Sequence, residues 1–258
     1  MKPLSELDAR DVRVVLFDID DTLTTAGKLT AQAYEALEAL QRSGRRTVAV
    51  TGRPAGFCDQ VARLWPVDAV VGENGGFYFW FSGGKLHREY REANDIRAQN
   101  RQRLAAIGRA VAAAVPGCAV ASDVRYRETD LAIDYAEEVP PLRLEAAERI
   151  AELLRREGLH VTMSSIHVHG WFGDYDKLAT VRELLRRQFG MDLDREQAAA
   201  VYVGDSPNDA SMFGFFAKSV GVANVRRFAG RMSAEPNYVT RGEFGAGFAE
   251  LVHHLLQA

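Results

Sequence analysis

Asp18, Asp20 and Asp21 stand together at the end of an apolar run, Val14-Val15-Leu16-Phe17-Asp18-Ile19-Asp20-Asp21-Thr22. Three adjacent carboxylates repel one another. Taking each out of water is costly unless a cation or hydrogen-bond donors compensate. The cluster has the chemistry of a hard-cation site beside a reactive carboxylate, although Thr22 and Asp21 would also suit a helix cap in a solvated loop. Three more groups of similar character follow. Thr51-Gly52-Arg53-Pro54 offers a hydroxyl and a guanidinium, Lys177 an ammonium, and Gly204-Asp205-Ser206-Pro207-Asn208-Asp209 two further acids. Each has a bland reading: Thr51 as a helix cap, Asp205 as a turn residue, Lys177 as a solvated helix residue. Taken in order they form a set: acids, hydroxyl, ammonium, acids.

The elements that must hold these groups are legible. Val14-Val15-Leu16-Phe17, Arg46-Thr47-Val48-Ala49-Val50 and Ala200-Val201-Tyr202-Val203 read as buried strands, and each ends at one of the polar groups. In open α/β sheets ligands sit just beyond the carboxyl ends of the strands. Between the strands the spacing predicts helices over 30–43, with Thr30 as N-cap and Gly44 as stop, and over 54–64, with Pro54 at the first helical position. A strand at 67–71 leads into Gly72-Glu73-Asn74-Gly75-Gly76, then a hairpin of 77–81 and 86–90 across Ser82-Gly83-Gly84-Lys85. Alternating strands and helices imply a parallel sheet covered on both faces.

From about 92 to 173 the pattern changes to helix, two strands, helix, two strands. The helices fall at 95–115 and 143–157, and the strands at 118–124, 130–135, 160–164 and 167–172. Lys177 then opens an amphipathic stretch, and a closing helix over 245–256 carries Phe248, Leu251, Val252 and Leu255 at helical spacing. The expected organisation is a core of 1–91 and 174–258 with an α+β insert of 92–173.

The ordered set resembles the haloacid dehalogenase superfamily, most of whose members are phosphatases. Asp18-Ile19-Asp20-Asp21-Thr22 matches its first motif, Thr51 its second, Lys177 its third and Gly204-Asp205-Ser206-Pro207-Asn208-Asp209 its fourth. Asp21 departs from the glycine that many relatives carry there. The insert, between the second and third motifs, resembles the type IIB cap of the sugar-phosphatase-like branch. The resemblance implies a Rossmann-like parallel-sheet core with that cap. It also implies a magnesium-dependent phosphatase working through an aspartyl phosphate. Asp18 would be the nucleophile and Asp20 the acid and base. Thr51 and Lys177 would contact the phosphoryl group, and Asp18, the Asp20 carbonyl and Asp205 would hold Mg2+. Asn208 and Asp209 would support metal or phosphate. The substrate is expected to be a small phosphorylated metabolite, a sugar or polyol phosphate. A phosphomutase uses the same nucleophile. A phosphoacceptor signalling domain has similar strand-end chemistry but needs no insert.

The chemistry agrees with this. Phosphoryl transfer needs in-line attack and neutralised equatorial oxygens. A carboxylate can attack phosphorus, and Mg2+ works with few carboxylates. Composition narrows the partners. The chain has 258 residues, 47% hydrophobic, and a formal net charge of -3, which gives no bulk attraction for nucleic acid. No apolar stretch is long enough to span a membrane. Cys58 and Cys118 form no ligand or redox motif. The expected setting is cytoplasmic, and the expected partner a small phosphate ester.

Substrate choice should fall to the insert. On an extended strand His167, His169 and Trp171 share one face, where two imidazoles and an indole can bind a polyol or a second anion, or simply face solvent. Zinc would need a third ligand that this strand does not supply. Arg125, Arg127 and Asp134 are further candidates in the insert, such residues being more often surface charges than ligands, and Arg97, Arg101, Arg103 and Arg109 read as a solvated helix face. Glu73 and Asn74 point to the junction of core and insert, where they can touch a substrate hydroxyl or shape a turn. Arg53 can reach an anionic substrate or brace its loop.

Overall fold

A computed structural model describes residues 1–258. The chain begins with a short β1 (Lys2–Pro3), then runs β2 (Val14–Phe17), α1 (Ala31–Arg42), β3 (Arg46–Val50), α2 (Ala55–Leu64) and β4 (Ala69–Gly72). The hairpin β5 (Phe77–Ser82) and β6 (Lys85–Tyr90) follows. Next come α3 (Asn94–Ala114), β7 (Ala119–Val120), β8 (Asp130–Asp134), α4 (Leu144–Arg156), β9 (His160–Met163) and β10 (His167–Trp171). The last part comprises α5 (Lys177–Phe189), α6 (Leu193–Glu196), β11 (Ala200–Gly204), α7 (Ala210–Phe215), β12 (Ser219–Gly221), β13 (Tyr238–Val239) and α8 (Phe244–Leu256).

These strands form two sheets. The larger has the order β1-β13-β12-β11-β2-β3-β4-β5-β6 and is parallel except where β5 and β6 join. β2 lies between β11 and β3, in register, with Phe17 beside both Val203 and Ala49. The three strands therefore end level, and the polar residues that follow them emerge on one edge. Alternate side chains fill two layers. Val15, Phe17, Val201 and Val203 pack with Leu37, Phe248 and Leu251, while Val14, Leu16, Val48 and Tyr202 pack with Val181 and Leu184. Each such burial contributes about 1.5–3 kcal/mol.

The second sheet, β7-β8-β10-β9, is antiparallel and drawn wholly from the inserted segment. Leu131, Ile133 and Val168 bury one face against Leu104, Val111, Ile150 and Leu154 of α3 and α4. The period of two then directs His167 and His169 to the opposite face. The α/β core and α+β insert expected from the sequence are both present. No helix is long and apolar enough to cross a membrane.

Several local expectations change. The strand expected over 118–124 shrinks to Ala119–Val120, followed by a 3-10 turn over Ser122–Tyr126. There the Asp123 carboxylate accepts both arms of Arg127, a local pairing that bends the chain away from the sheet. Pro54 is the N-cap of α2 rather than its first residue. Arg97 is not solvated: it is buried over the Tyr90 ring at 3.5 Å and paired with Glu128. Arg127 and Asp134 are buried too, Asp134 accepting the backbone N–H groups of Ala136, Glu137 and Glu138.

Candidate active site

The level strand ends bring the first and fourth acidic groups together. Asp18 follows β2 and its N–H donates to Val203 O of β11. Lys177 opens α5, whose N-cap Asp176 accepts from Ala179 N. That start aims the buried ammonium at the acids, and Nζ donates to Asp18 Oδ1 at 2.8 Å and to Asp209 Oδ1 at 2.7 Å. Burial works against this ammonium, but Asp18 and Asp209 outweigh it and hold it above the usual lysine range. Burial pushes the Asp18 carboxyl well above its usual range, since Lys177 offsets only part of the cost and Asp209 and Asp20 repel it. Asp205 rises likewise through burial and the charges of Asp18 and Asp209.

Carboxylate oxygens of Asp18, Asp205 and Asp209 lie within 4.8 Å of one another, all buried. One ammonium does not balance three such groups, and the donor set is oxygen throughout, which suits a hard divalent cation. The three differ in how far the protein already satisfies them. Asp209 accepts from Lys177, the Tyr202 hydroxyl and the backbone N–H groups of Asp205 and Ser206. It is therefore the best fixed and the least free to ligate. Asp205 has only long contacts, from Thr22 Oγ1 at 3.2 Å and Asn224 Nδ2 at 3.4 Å. Asp18 keeps Oδ2 free of protein donors. Asp18 and Asp205 thus fit a metal and Asp209 fits a support. Asp21 adopts φ 56°, a left-handed conformation in which glycine is least strained and aspartate is tolerated.

The hydroxyl of Thr51, fully buried, accepts from Arg53 N–H, which leaves its own proton to donate. Arg53 reaches both oxygens of Asp20 through Nε at 3.0 Å, with Nη2 on Oδ1 at 2.7 Å. Its Nη2 also donates to Glu137 Oε1 of the insert at 2.6 Å. Glu137 Oε2 lies 3.0 Å from His167 Nε2, but out of line, so that this buried nitrogen has no hydrogen-bond partner. Burial opposes ionisation of Glu137, yet the adjacent His167 imidazole and the Arg53 charge hold its carboxyl below the usual glutamate range.

Asp18, Asp20, Arg53, His167, His169 and Asn208 line one cavity of about 10 Å³, closed over by Ser164 and Ile166 of the β9–β10 turn. That is room for about one water. His169 differs from His167. Its Nδ1–H donates to the Asp130 carboxylate at 3.1 Å, and burial lowers its pKa to about 4 despite that partner. It is a neutral ring wedged against Gly52, where an added Cβ would lie 3.0 Å from it. Trp171 lies outside the cavity lining, its indole donating to Tyr175 O.

Glu73 and Asn74 sit at the junction of core and insert. Glu73 is fully buried and takes five donors: Ala55 N of α2, then Glu128 N, Thr129 N, Thr129 Oγ1 and Asp130 N. Burial and the Asp130 charge push its carboxyl up to about 7, against Arg127 and these donors. Asn74 donates to Asp130, and Arg127 joins Asp130 to Gly52 O. Gly75 must be glycine here, because φ is 105° and a Cβ would meet Asp176 O at 2.2 Å. The sequence reading missed Glu137, Asp130, Tyr202 and Asn224. Glu137 follows a strand and precedes Pro140-Pro141, the signal of an ordinary turn.

The profile of the haloacid dehalogenase-like hydrolases matches residues 15–99. Phosphoglycolate phosphatase of Pyrobaculum neutrophilum is 31% identical over 247 residues, covering 95% of this chain and 96% of that one. The chain belongs to the haloacid dehalogenase-like hydrolase family. Within that family it is a phosphatase. Phosphoglycolate phosphatase of Haloarcula marismortui is 27% identical over 245 residues, covering 94% of this phosphatase and 96% of that one. The structure of a subclass IIB sugar phosphatase shares the fold, with a TM-score of 0.61 over 96% of this chain and all of the other at 16% identity.

Proposed function

We propose that the protein is a magnesium-dependent phosphatase acting on a short phosphorylated hydroxy acid, with 2-phosphoglycolate the first candidate, through an aspartyl phosphate. The reading is carried by the buried Asp18, paired with Lys177 at 2.8 Å and facing the same cavity as Asp20. Asp18 Oδ attacks phosphorus, the bond from phosphorus to the ester oxygen breaks, and Asp20 gives the departing oxygen its proton. Asp20 then takes a proton from water, which attacks phosphorus and frees Asp18 and inorganic phosphate. Thr51 and Lys177 stabilise charge on the transferring oxygens. Asp18, Asp205 and the Asp20 carbonyl would hold Mg2+, which would supply charge neutralisation when bound. Asp209 holds Lys177 and the fourth-motif loop, and Asn208 faces the phosphate.

The core of 1–91 and 174–258 handles phosphate and metal, and the insert of 92–173 meets the leaving group. One comparison supports a short leaving group over the sugar or polyol first expected: the two relatives at 27% and 31% identity, matched nearly end to end, are phosphoglycolate phosphatases, whereas the sugar phosphatase structure of similar length is only 16% identical. The test is phosphate release from 2-phosphoglycolate, sugar phosphates, nucleotides and pyridoxal phosphate. The reading expects 2-phosphoglycolate to have the highest kcat/KM. A sugar phosphate at the top, or phosphate retained on an isomerised product, overturns it.

A further inference from the structure

We propose that Arg53 and His167 form a subsite for a carboxylate on the leaving group, and that Glu137 fills it in this structure as an internal stand-in. The inference rests on the phosphatase reading above and assigns the side chains that recognise the acid.

One carboxylate, that of Glu137, spans a guanidinium and an imidazole, with Oε1 2.6 Å from Arg53 Nη2 and Oε2 3.0 Å from His167 Nε2. Both partners line the cavity that holds Asp18 and Asp20. The fit is incomplete. His167 Nε2 is buried and has no aligned partner, and Arg53 commits only Nε and Nη2, leaving Nη1 free of protein acceptors. A carboxylate placed slightly deeper would complete both. Leaving a buried nitrogen unpaired is costly, which favours a ligand that pairs it.

Connectivity points to the same place. The leaving oxygen must lie within reach of Asp20, which Arg53 Nη2 touches at 2.7 Å. In a 2-phospho hydroxy acid the carboxylate is attached to the carbon that bears this oxygen. A group so close to the oxygen falls beside Arg53. Arg53 is suited to it, since its planar fork matches a carboxylate. His169 has no such role, because its proton on Nδ1 is committed to Asp130.

Glu137 is built to yield. Its side chain is 29% exposed, whereas that of His167 is 3% exposed. Its backbone N–H is fixed by Asp134, so the carboxylate leaves by side-chain rotation into water. A substrate carboxylate displaces it, and a neutral sugar alcohol has no anion with which to do so. The subsite therefore selects by exchange of one carboxylate for another.

The experiment uses the full chain with saturating Mg2+ and compares kcat/KM for 2-phosphoglycolate with that for p-nitrophenyl phosphate. Removing the internal competitor in Glu137→Gln should raise this ratio about threefold to tenfold, mainly through a lower KM for 2-phosphoglycolate. Glycolate, as a product inhibitor, should bind more tightly by a similar factor. Glu137→Ala should move both quantities in the same direction, and His167→Ala should lower the ratio. Glu138→Gln controls for general loss of negative charge. Glu138 bonds Ser122 Oγ at 2.8 Å, and its neutralisation should leave the ratio unchanged. If wild-type enzyme prefers 2-phosphoglycolate but neither Glu137 variant raises the ratio, this inference fails and the phosphatase reading stands. An equal rise in Glu138→Gln also overturns the inference. If wild-type enzyme prefers neutral sugar phosphates, both fail.

Discussion

Lys177 Nζ lies 2.8 Å from Asp18 Oδ1, with both side chains buried. The pair is asymmetric, because the same ammonium also serves Asp209. Lys177→Met leaves two buried carboxylates without their cation. Its kcat should fall about 10²–10³-fold, and urea unfolding should show a loss of about 3–5 kcal/mol. A folded variant with wild-type kcat would remove Lys177 from the chemistry.

Asp18→Asn keeps the shape of the site but removes the attacking carboxylate. No steady-state release of phosphate above background is expected, and no alkali- and hydroxylamine-labile phosphoprotein should accumulate with labelled substrate. Substantial turnover by this variant ends the aspartyl-phosphate mechanism.

Asp20→Asn should depend on the leaving group. An alkyl phosphate such as 2-phosphoglycolate needs its oxygen protonated, so kcat should drop about 10²–10⁴-fold. An activated aryl phosphate needs little protonation in the first step, and phosphoenzyme should then build up, because the water attack still lacks its base. Equal losses at both steps for both esters would contradict a proton-transfer role.

Removing divalent ions should abolish activity, and Mg2+ should restore it. Binding to the folded state alone should also raise Tm as Mg2+ is added. Asp205→Ala should weaken the Mg2+ dependence of both readouts while the circular dichroism spectrum is retained. Full activity after exhaustive chelation rules out the metal role of Asp18 and Asp205.

His169 gives stability a defined acid limb. Its pKa falls from 6.5 to about 4 in the folded protein, chiefly through burial. Above pH 6.5 the ring is neutral in both folded and unfolded chains, and its contribution is fully present. As pH falls from 6.5 towards 4, the unfolded chain takes the proton first, and about 2–3 kcal/mol is lost. His169→Gln should flatten this part of the unfolding free energy measured against pH. An unchanged slope would show that the ring is charged when folded.

The core was readable because its chemistry repeats at strand ends. Val14–Phe17 and Ala200–Gly204 are buried runs that stop at acids, and the lateral register that levels them follows from parallel pairing. The inserted segment was readable as to its elements but not its electrostatics. Local sequence does not mark Arg127 as buried, because its neighbours Asp123 and Asp130 would pair with it equally well on a surface, and it is the distant Gly52 carbonyl that ties it to the core. Period two placed His167, His169 and Trp171 on one face, yet it did not distinguish them. That distinction comes from Glu137, Asp130 and Tyr175, none of them on the same strand. Glu73 looked like a turn residue because a turn is what its backbone makes, while its side chain serves another layer.

The five donors gathered by Glu73 bear on how far the insert is a separable cassette. In sequence it looks excisable, since the superfamily motifs flank it. Yet the carboxylate belongs to the core, and only one of its donors, the Ala55 amide, does too; the others arrive from residues 128–130. A trimmed core would keep the buried acid and lose most of what solvates it. A grafted lid from a relative would need its own run of amides at the same height. The natural unit of exchange is therefore the lid together with the Gly72–Gly76 loop, which ties the tailoring of specificity to a residue outside the lid.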